Sequence, residues 1–290
     1  MSFRVVVVSK SAKLEHKINH LIIRDLETIK IHISEIAVLM VESTAVSLTA
    51  SLLCELVKQK VKVIFCDEKR NPISELMPYY GSHDTSLKYS MQTSWEKEIK
   101  QMVWTDIVRQ KIDKQRETLK FFEKNEQFKL EQYIEELEWT DKTNREGHAA
   151  KVYFNAMFGK DFTRGQDNNI NAALNYGYSL LLSAFNREIV ASGYCTQLGL
   201  FHNNMFNDFN LSCYLMESFR PIVDKKVKLM ELKKFEKEEK MELVSLLNSE
   251  IYIDAKKQYL LNGIKIYLKS VFDVLNKEPD CYIKVYRNEL

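Results

Sequence analysis

The pattern of apolar and polar positions divides the chain into two stretches with different periodicities. Near the N-terminus, RVVVV is a short apolar run and LEHKINHLIIR alternates as a hairpin arm would. IKIHIS and IAVLMV follow, all rich in the β-branched residues that pack well on a pleated surface. The period then changes. In TAVSLTASLLCELVKQK, Val46, Leu48, Leu52, Leu53 and Leu56 recur at helical spacing behind Ser43 or Thr44, either of which suits a helix N-cap. VKVIFCD returns to strand and DEKRNP reads as a turn, so the stretch predicts a small β-rich unit with one packed helix.

Beyond the linker-like MPYYGSHDTS the periodicity is helical almost to the end. Long helices are predicted from about Ser86 to Glu138, with Trp95, Met102, Trp104, Ile107 and Ile112 as core positions. Later helices are predicted to begin near Asn144, Asp167, Ser212 and Glu242. The run KKVKLMELKKFEKEEKMELVSLL mixes both signs of charge, as a solvated helix face does. The expected fold class is α+β: a small N-terminal β-rich domain over residues 1–84, then a larger all-α domain over residues 85–290.

Composition adds little to this but excludes several classes. With 45% hydrophobic and 28% charged residues the profile is globular, and 8 Gly and 4 Pro in 290 residues favour helices over loops. The net charge of +2 does not announce a nucleic-acid partner, so a DNA surface has to be a local basic patch. Cys54, Cys66, Cys195, Cys213 and Cys281 are scattered, with no CxxC pair, which indicates neither a disulfide framework nor a zinc ribbon. No run approaches a membrane span, and MSFRVVVVSKS is too short in its apolar part for a signal peptide. A soluble protein of the reducing cytoplasm is expected.

Candidate chemistry concentrates in three segments. In TNREGHAAKVYFNAMFG, Thr143 and Glu146 have the spacing of a capping box. At about 100° per residue, however, Ala150, Tyr153 and Met157 lie within roughly 40° of Glu146, so the carboxylate shares an apolar face. A carboxylate there needs a partner, either a metal ion or an Arg or Lys. In DNNINAALNYGYSLLLSAFNREIV, Asn171, Asn175 and Tyr178 form a polar stripe behind the expected cap Asp167, suited to a cavity lining or a buried network. In GLFHNNMFNDFNLSCYLMESFRP, His202 falls in a loop. Glu217 lies opposite the apolar face of Leu211, Leu215, Phe219 and Ile222, where it reads as solvated or paired with Arg220. One imidazole with two carboxylates is a donor set that suits Mg²⁺ or Mn²⁺ better than zinc, and such an ion leaves positions open for water and phosphate oxygens.

The segments NREGHAAKVYFNAMFG, NAALNYGYSLL and FHNNMFNDFNLSCYLMESFRP resemble the signature segments of the CRISPR-associated spacer-acquisition integrase, the Cas-one family, in its type II-A variety. The resemblance implies a homodimer formed through the β domains and a catalytic metal site of Glu146, His202 and Glu217 in the helical domain. It also implies insertion of short DNA fragments (spacers) into a CRISPR array by 3′-hydroxyl attack on a phosphodiester, with metal-dependent endonuclease activity. The implied partners are DNA, the small Cas-two protein and, in type II-A systems, the effector nuclease and a DNA-end-binding ring protein. Two positions depart from the family: Tyr214 stands where many relatives have Asp, and Ser218 where Pro is common. Lys151, Arg164 and Arg187 are candidate phosphate contacts, and Lys17 and His20, with His16 beside them, could meet a duplex end. The alternatives are a catalytically silent DNA-binding scaffold of the same complex and, apart from the resemblance, a helical ligand-binding protein with a β-rich dimerisation domain.

Overall fold

The computed structural model describes residues 4–79, 82–201 and 204–287. The apolar alternation of the N-terminal stretch builds β1 (Arg4–Val8), β2 (Ala12–Lys17), β3 (His20–Arg24), β4 (Thr28–His32), β5 (Ile36–Val41) and β6 (Val46–Leu48). Then come α1 (Ala50–Lys58), β7 (Lys62–Cys66) and β8 (Pro72–Glu75). The strands form two four-stranded sheets, ordered β1-β5-β7-β8 and β4-β3-β2-β6. The helix starts later than its periodicity suggests. Its N-cap is Thr49, whose side chain accepts from the Leu52 amide, while Val46 and Leu48 are drawn into β6 by parallel pairing with Ala12 and Leu14.

The helical stretch comprises α2 (Thr85–Thr93), α3 (Lys97–Phe121), α4 (Gln127–Glu135), α5 (Arg145–Phe158), α6 (Asn169–Ala191), α7 (Asn210–Leu215), α8 (Arg220–Leu229) and α9 (Lys237–Val244). The hairpin β9 (Glu250–Ile253) and β10 (Lys256–Tyr259) follows, then α10 (Leu260–Leu275). The expectation of helix almost to the end is corrected by that hairpin: Ile251 and Ile253 point inward and Glu250 and Tyr252 outward, a period of two. Trp95, Trp104, Ile107 and Ile112 are buried as expected, but Met102 is 40% exposed. Among the described residues, no helix is long and apolar enough to cross a membrane.

All six residues of β5 are buried because the strand has a core on each face. Ile36, Leu39 and Val41 join Leu14, Leu21, Leu52, Leu56 and Val63 between the two sheets and α1. Ala37, Val38 and Met40 face the helices, where they share a core with Leu174, Leu181 and Phe185 of α6. Each large apolar side chain so buried contributes roughly 1.5–3 kcal/mol, which ties the first sheet rigidly to the helical part. A third cluster joins Trp104, Val108, Ile112 and Leu119 of α3 to Leu130 of α4 and Ala149, Tyr153 and Met157 of α5.

The contact of α6 with α8 depends on Gly177. A Cβ there would sit 2.4 Å from Cγ1 of Val223, a side chain that is itself 1% exposed. Gly177→Ala is therefore expected to destabilise the protein by about 1–3 kcal/mol through overpacking, despite the better helix propensity of alanine. Urea unfolding of that variant, and of its combination with Val223→Ala, checks this. The second change should restore part of the loss, and wild-type stability for Gly177→Ala alone would contradict the close approach.

Candidate metal centre

Glu146 is placed by the start of α5, which does not form the capping box that the spacing of Thr143 and Glu146 allowed. Asp141 caps this helix: its Oδ1 accepts from the Arg145 amide (2.6 Å) and its Oδ2 from the Glu146 amide (3.0 Å). Thr143 Oγ1 is buried without a hydrogen bond, and Asn144 takes a left-handed conformation before the first turn. The Glu146 carboxylate is thus free to turn along the α5 face that carries the buried Tyr153 and Met157. Its partner is Lys111 of α3, whose Nζ donates to Glu146 Oε1 at 2.6 Å.

Glu217 reaches the same lysine. Its Oε2 is 2.7 Å from Lys111 Nζ, and its Oε1 is 2.9 Å from Arg220 Nη2. The expectation that Glu217 lies opposite an apolar face assumed one continuous helix. Instead α7 ends at Leu215, Glu217–Phe219 forms a single 3₁₀ turn, and α8 starts at Arg220. That break rotates Glu217 inward, leaving its side chain 13% exposed. The i, i+3 pair with Arg220 does form, but at a buried site. Phe219 anchors the turn, with its ring 5.2 Å from Phe185, 5.1 Å from Tyr267 and 4.7 Å from Tyr286. The Tyr286 hydroxyl donates to the Ser218 carbonyl at 3.1 Å, at the position where Pro is common in the resembled family.

The electrostatics follow from this geometry. Burial pushes the Glu217 carboxyl up, but Lys111 and Arg220 outweigh it and hold the group below the usual carboxylate range. Burial lowers the Lys111 ammonium, and the charges of Glu217 and Glu146 more than restore it, so it stays protonated above the ordinary lysine range. Glu217 Oε2 makes its ion pair without hydrogen-bond geometry and is otherwise a buried oxygen with no donor. One ammonium thus bridges two facing carboxylate oxygens that come from different helical segments.

The third expected ligand, His202, lies outside the described residues. Its preceding neighbour does not: Phe201 stacks on Trp104 of α3 with centroids 6.1 Å apart, and Tyr214 meets the same indole edge-on at 5.0 Å. Trp104 stands two helical turns before Lys111, so α3 receives both the chain entering His202 and the bridged carboxylates. Tyr214, in the place of the family's common Asp, is part of that aromatic stack. On the far side of the loop, Asn210 donates to the carbonyls of Gln197 (3.1 Å), Asn204 (2.9 Å) and Asn207 (2.9 Å). Among the described residues, no group of three His, Cys, Asp or Glu side chains converges as a metal set.

The polar stripe of α6, whose cap is Asn168 rather than the expected Asp167, forms a network behind this cluster in which Asn171 and Tyr178 are buried and Asn175 is exposed. Arg164 donates to Asn171 and, at 2.7 Å, to Asn175, and its guanidinium lies 5.2 Å from the Tyr178 ring. Asn171 is 3% exposed and returns hydrogen bonds to the Thr163 and Gln166 carbonyls. Tyr178 donates to the buried Asp224 of α8, and the Arg220 guanidinium lies 4.9 Å from the same ring. The stripe therefore supports Arg220, which in turn supports Glu217.

The remaining candidates are dispersed. Lys151 is exposed on α5, about 140° around the helix from Glu146. Arg187 donates to the Lys60 carbonyl (2.9 Å) and pairs with Glu188 (2.9 Å), bracing the sheet against α6. Lys17 and His20 flank the turn of the β2–β3 hairpin, and His20 packs edge-on to His32 at 5.0 Å. His16 contacts Ser51 at 3.4 Å.

The sequence profile described as "CRISPR associated protein Cas1" matches residues 5–251, most of the chain. The chain belongs to the Cas1 family. It is 33% identical over 226 residues to the CRISPR-associated endonuclease Cas1 of Neisseria meningitidis serogroup C (strain 8013), covering 77% of this chain and 74% of that one. A Cas1 protein from Thermotoga maritima shares its fold with a TM-score of 0.77 at 18% identity, over 99% of this chain and 100% of the other. A casposase bound to integration product superposes equally well, with a TM-score of 0.77 at 17% identity over 97% and 92% of the two chains. The α+β architecture expected from the sequence is thus that of Cas1. Lys111 and Asp224 are the parts of the site that sequence reading did not single out.

Proposed function

We propose that this Cas1 protein is a metal-dependent DNA integrase and endonuclease that joins the 3′-hydroxyl of a short DNA fragment to a phosphodiester of a CRISPR array. The observation that carries the reading is the bridging of Glu146 and Glu217 by one cation, the Lys111 ammonium. Two carboxylates that converge on one shared positive charge make a fitting cradle for a divalent ion. Glu146, Glu217 and His202 would hold it, and this oxygen-rich set with one imidazole suits Mg²⁺ or Mn²⁺. When bound, the ion supplies Lewis-acid polarisation of the phosphoryl oxygen and lowers the cost of deprotonating the attacking hydroxyl.

The chain's own residues supply the positioning. Arg220 fixes the outer oxygen of Glu217, and the aromatic stack on Trp104 holds the approach to His202. Lys111 and Arg220 provide positive charge where a phosphodiester would enter. We assign catalysis to residues 85–290 and homodimerisation to residues 1–84, with Lys17 and His20 at a hairpin tip suited to a DNA end. Lys151, Arg164 and Arg187 remain proposed phosphate contacts, and a small Cas-two protein the proposed bridging partner. The motif segments support the type II-A variety, with its effector nuclease and end-binding ring protein.

Strand transfer from a splayed-end duplex into a leader–repeat plasmid, with Mn²⁺ and the Cas-two partner present, tests the reading. Glu146→Ala and His202→Ala should each abolish joined product while retaining DNA binding in a gel shift. Wild-type product from either variant would refute the catalytic assignment. Binding without any strand transfer by the wild type would instead identify a silent scaffold.

A further inference from the structure

We infer that Lys111 is a tethered counter-cation, standing between Glu146 and Glu217 in the metal-free protein and competing with a divalent ion for the same two carboxylate oxygens. The inference rests on the reading of Glu146 and Glu217 as ligands. Lys111 Nζ contacts Oε1 of Glu146 at 2.6 Å and Oε2 of Glu217 at 2.7 Å, so it uses the oxygens that face each other. Arg220 takes the other oxygen of Glu217 and lies over the Tyr178 ring, away from the bridge. Of the two cations, only Lys111 stands where an ion shared by both carboxylates would stand.

The formal charges show what this arrangement does. Two carboxylates against Lys111 and Arg220 leave the cluster neutral, so the acidic site folds without a metal ion. Without the ammonium between them the two carboxylates would repel each other. A divalent ion entering beside Lys111 would make the same cluster strongly positive, which opposes binding until DNA phosphates arrive. A lysine is suited to giving way, because its ammonium is a point charge on a flexible four-carbon stem. Lys111 is held on the buried stripe of α3 with its side chain 13% exposed, so what lets it give way is the flexibility of its own stem. Once displaced from the carboxylates, the ammonium is available to a phosphate oxygen.

The test is a titration of the full-length protein with Mn²⁺ alone, reading free Mn²⁺ by electron paramagnetic resonance, for wild type, Lys111→Met, Lys111→Arg and Glu146→Ala. Lys111→Met should bind Mn²⁺ at least about tenfold more tightly than wild type, because a neighbouring like charge has been removed. Lys111→Arg should keep the weak binding of wild type, and Glu146→Ala should lose it. Thermal unfolding gives a second readout: metal-free Lys111→Met should melt below wild type, and Mn²⁺ should raise its Tm by more. Should Lys111→Met be unfolded without metal, the same comparison holds as recovery of the folded state at low Mn²⁺. Loss of binding in Glu146→Ala with no gain in Lys111→Met overturns the counter-cation role alone. Binding that Glu146→Ala leaves unchanged overturns the metal site as well.

Discussion

On the proposed metal site, Glu217→Gln is expected to lower Mn²⁺-dependent strand transfer by about a thousandfold or more, because loss of a proposed ligand would remove charge stabilisation worth several kcal/mol at the transition state. Glutamine matches the shape of glutamate, so the 3₁₀ turn anchored by Phe219 has no reason to move. What changes is charge. Lys111 keeps Glu146, but Arg220 loses the carboxylate that it contacts at 2.9 Å and gains none. DNA binding should therefore hold or tighten, since one negative charge has left the site that a phosphate would approach. Single-turnover joining with a labelled duplex, alongside a gel shift at fixed salt, separates the two effects. Equal losses in binding and joining would point to a folding defect, and full joining would remove Glu217 from the site.

The second large effect concerns Asp224, which is 1% exposed and accepts a hydrogen bond from Tyr178. Burial raises its carboxyl from 3.8 to about 6, although the Tyr178 hydroxyl and the charges of Arg220 and Arg164 pull it back. The native state therefore holds the proton more firmly than the unfolded chain does. The stability that this group contributes is fully present below the unfolded value and is lost as pH rises through about 6. The loss amounts to roughly 3 kcal/mol, since each tenfold difference in proton affinity between the two states is worth about 1.36 kcal/mol. Asp224→Asn keeps the acceptor for Tyr178 and removes the titration. Urea unfolding of both proteins from pH 4 to pH 7 should show wild type losing ground to the variant by that amount. A constant difference across the range would show that Asp224 does not titrate there. Glu217, whose carboxyl is held low, works in the opposite direction and appears equally in both proteins.

The differences between sequence and structure have local physical causes. Glu146 was legible because α5 is a regular helix, and its angular position beside Tyr153 and Met157 demanded a partner. That partner, Lys111, carried the same signal: it falls four residues after Ile107 and seven after Trp104, on the buried stripe of α3. It was obscured by number, as one of 42 basic residues in the chain. Glu217 was not legible from spacing, because no periodicity survives the break at Met216 between α7 and α8. The β9–β10 hairpin escaped because its turn residues, Asp254 and Ala255, reach φ of 55° and 57° without glycine or asparagine to announce it. Strands β1, β4 and β5 were plain from their β-branched runs, whereas LEHKINHLIIR, read as one hairpin arm, folds as β2 and β3 around the left-handed turn at Ile18 and Asn19.

The seat of Glu217 also has a history in time. Its turn is closed by Tyr286, which stacks on Phe219 and donates to the Ser218 carbonyl from near the far end of the chain. During synthesis α3 and α5 can pair before residue 286 is added, whereas this clamp on the Glu217 turn closes only after it. The turn that seats Glu217 is thus held in part by a contact 68 residues further along the chain, which couples its geometry to the docking of the segment after α10.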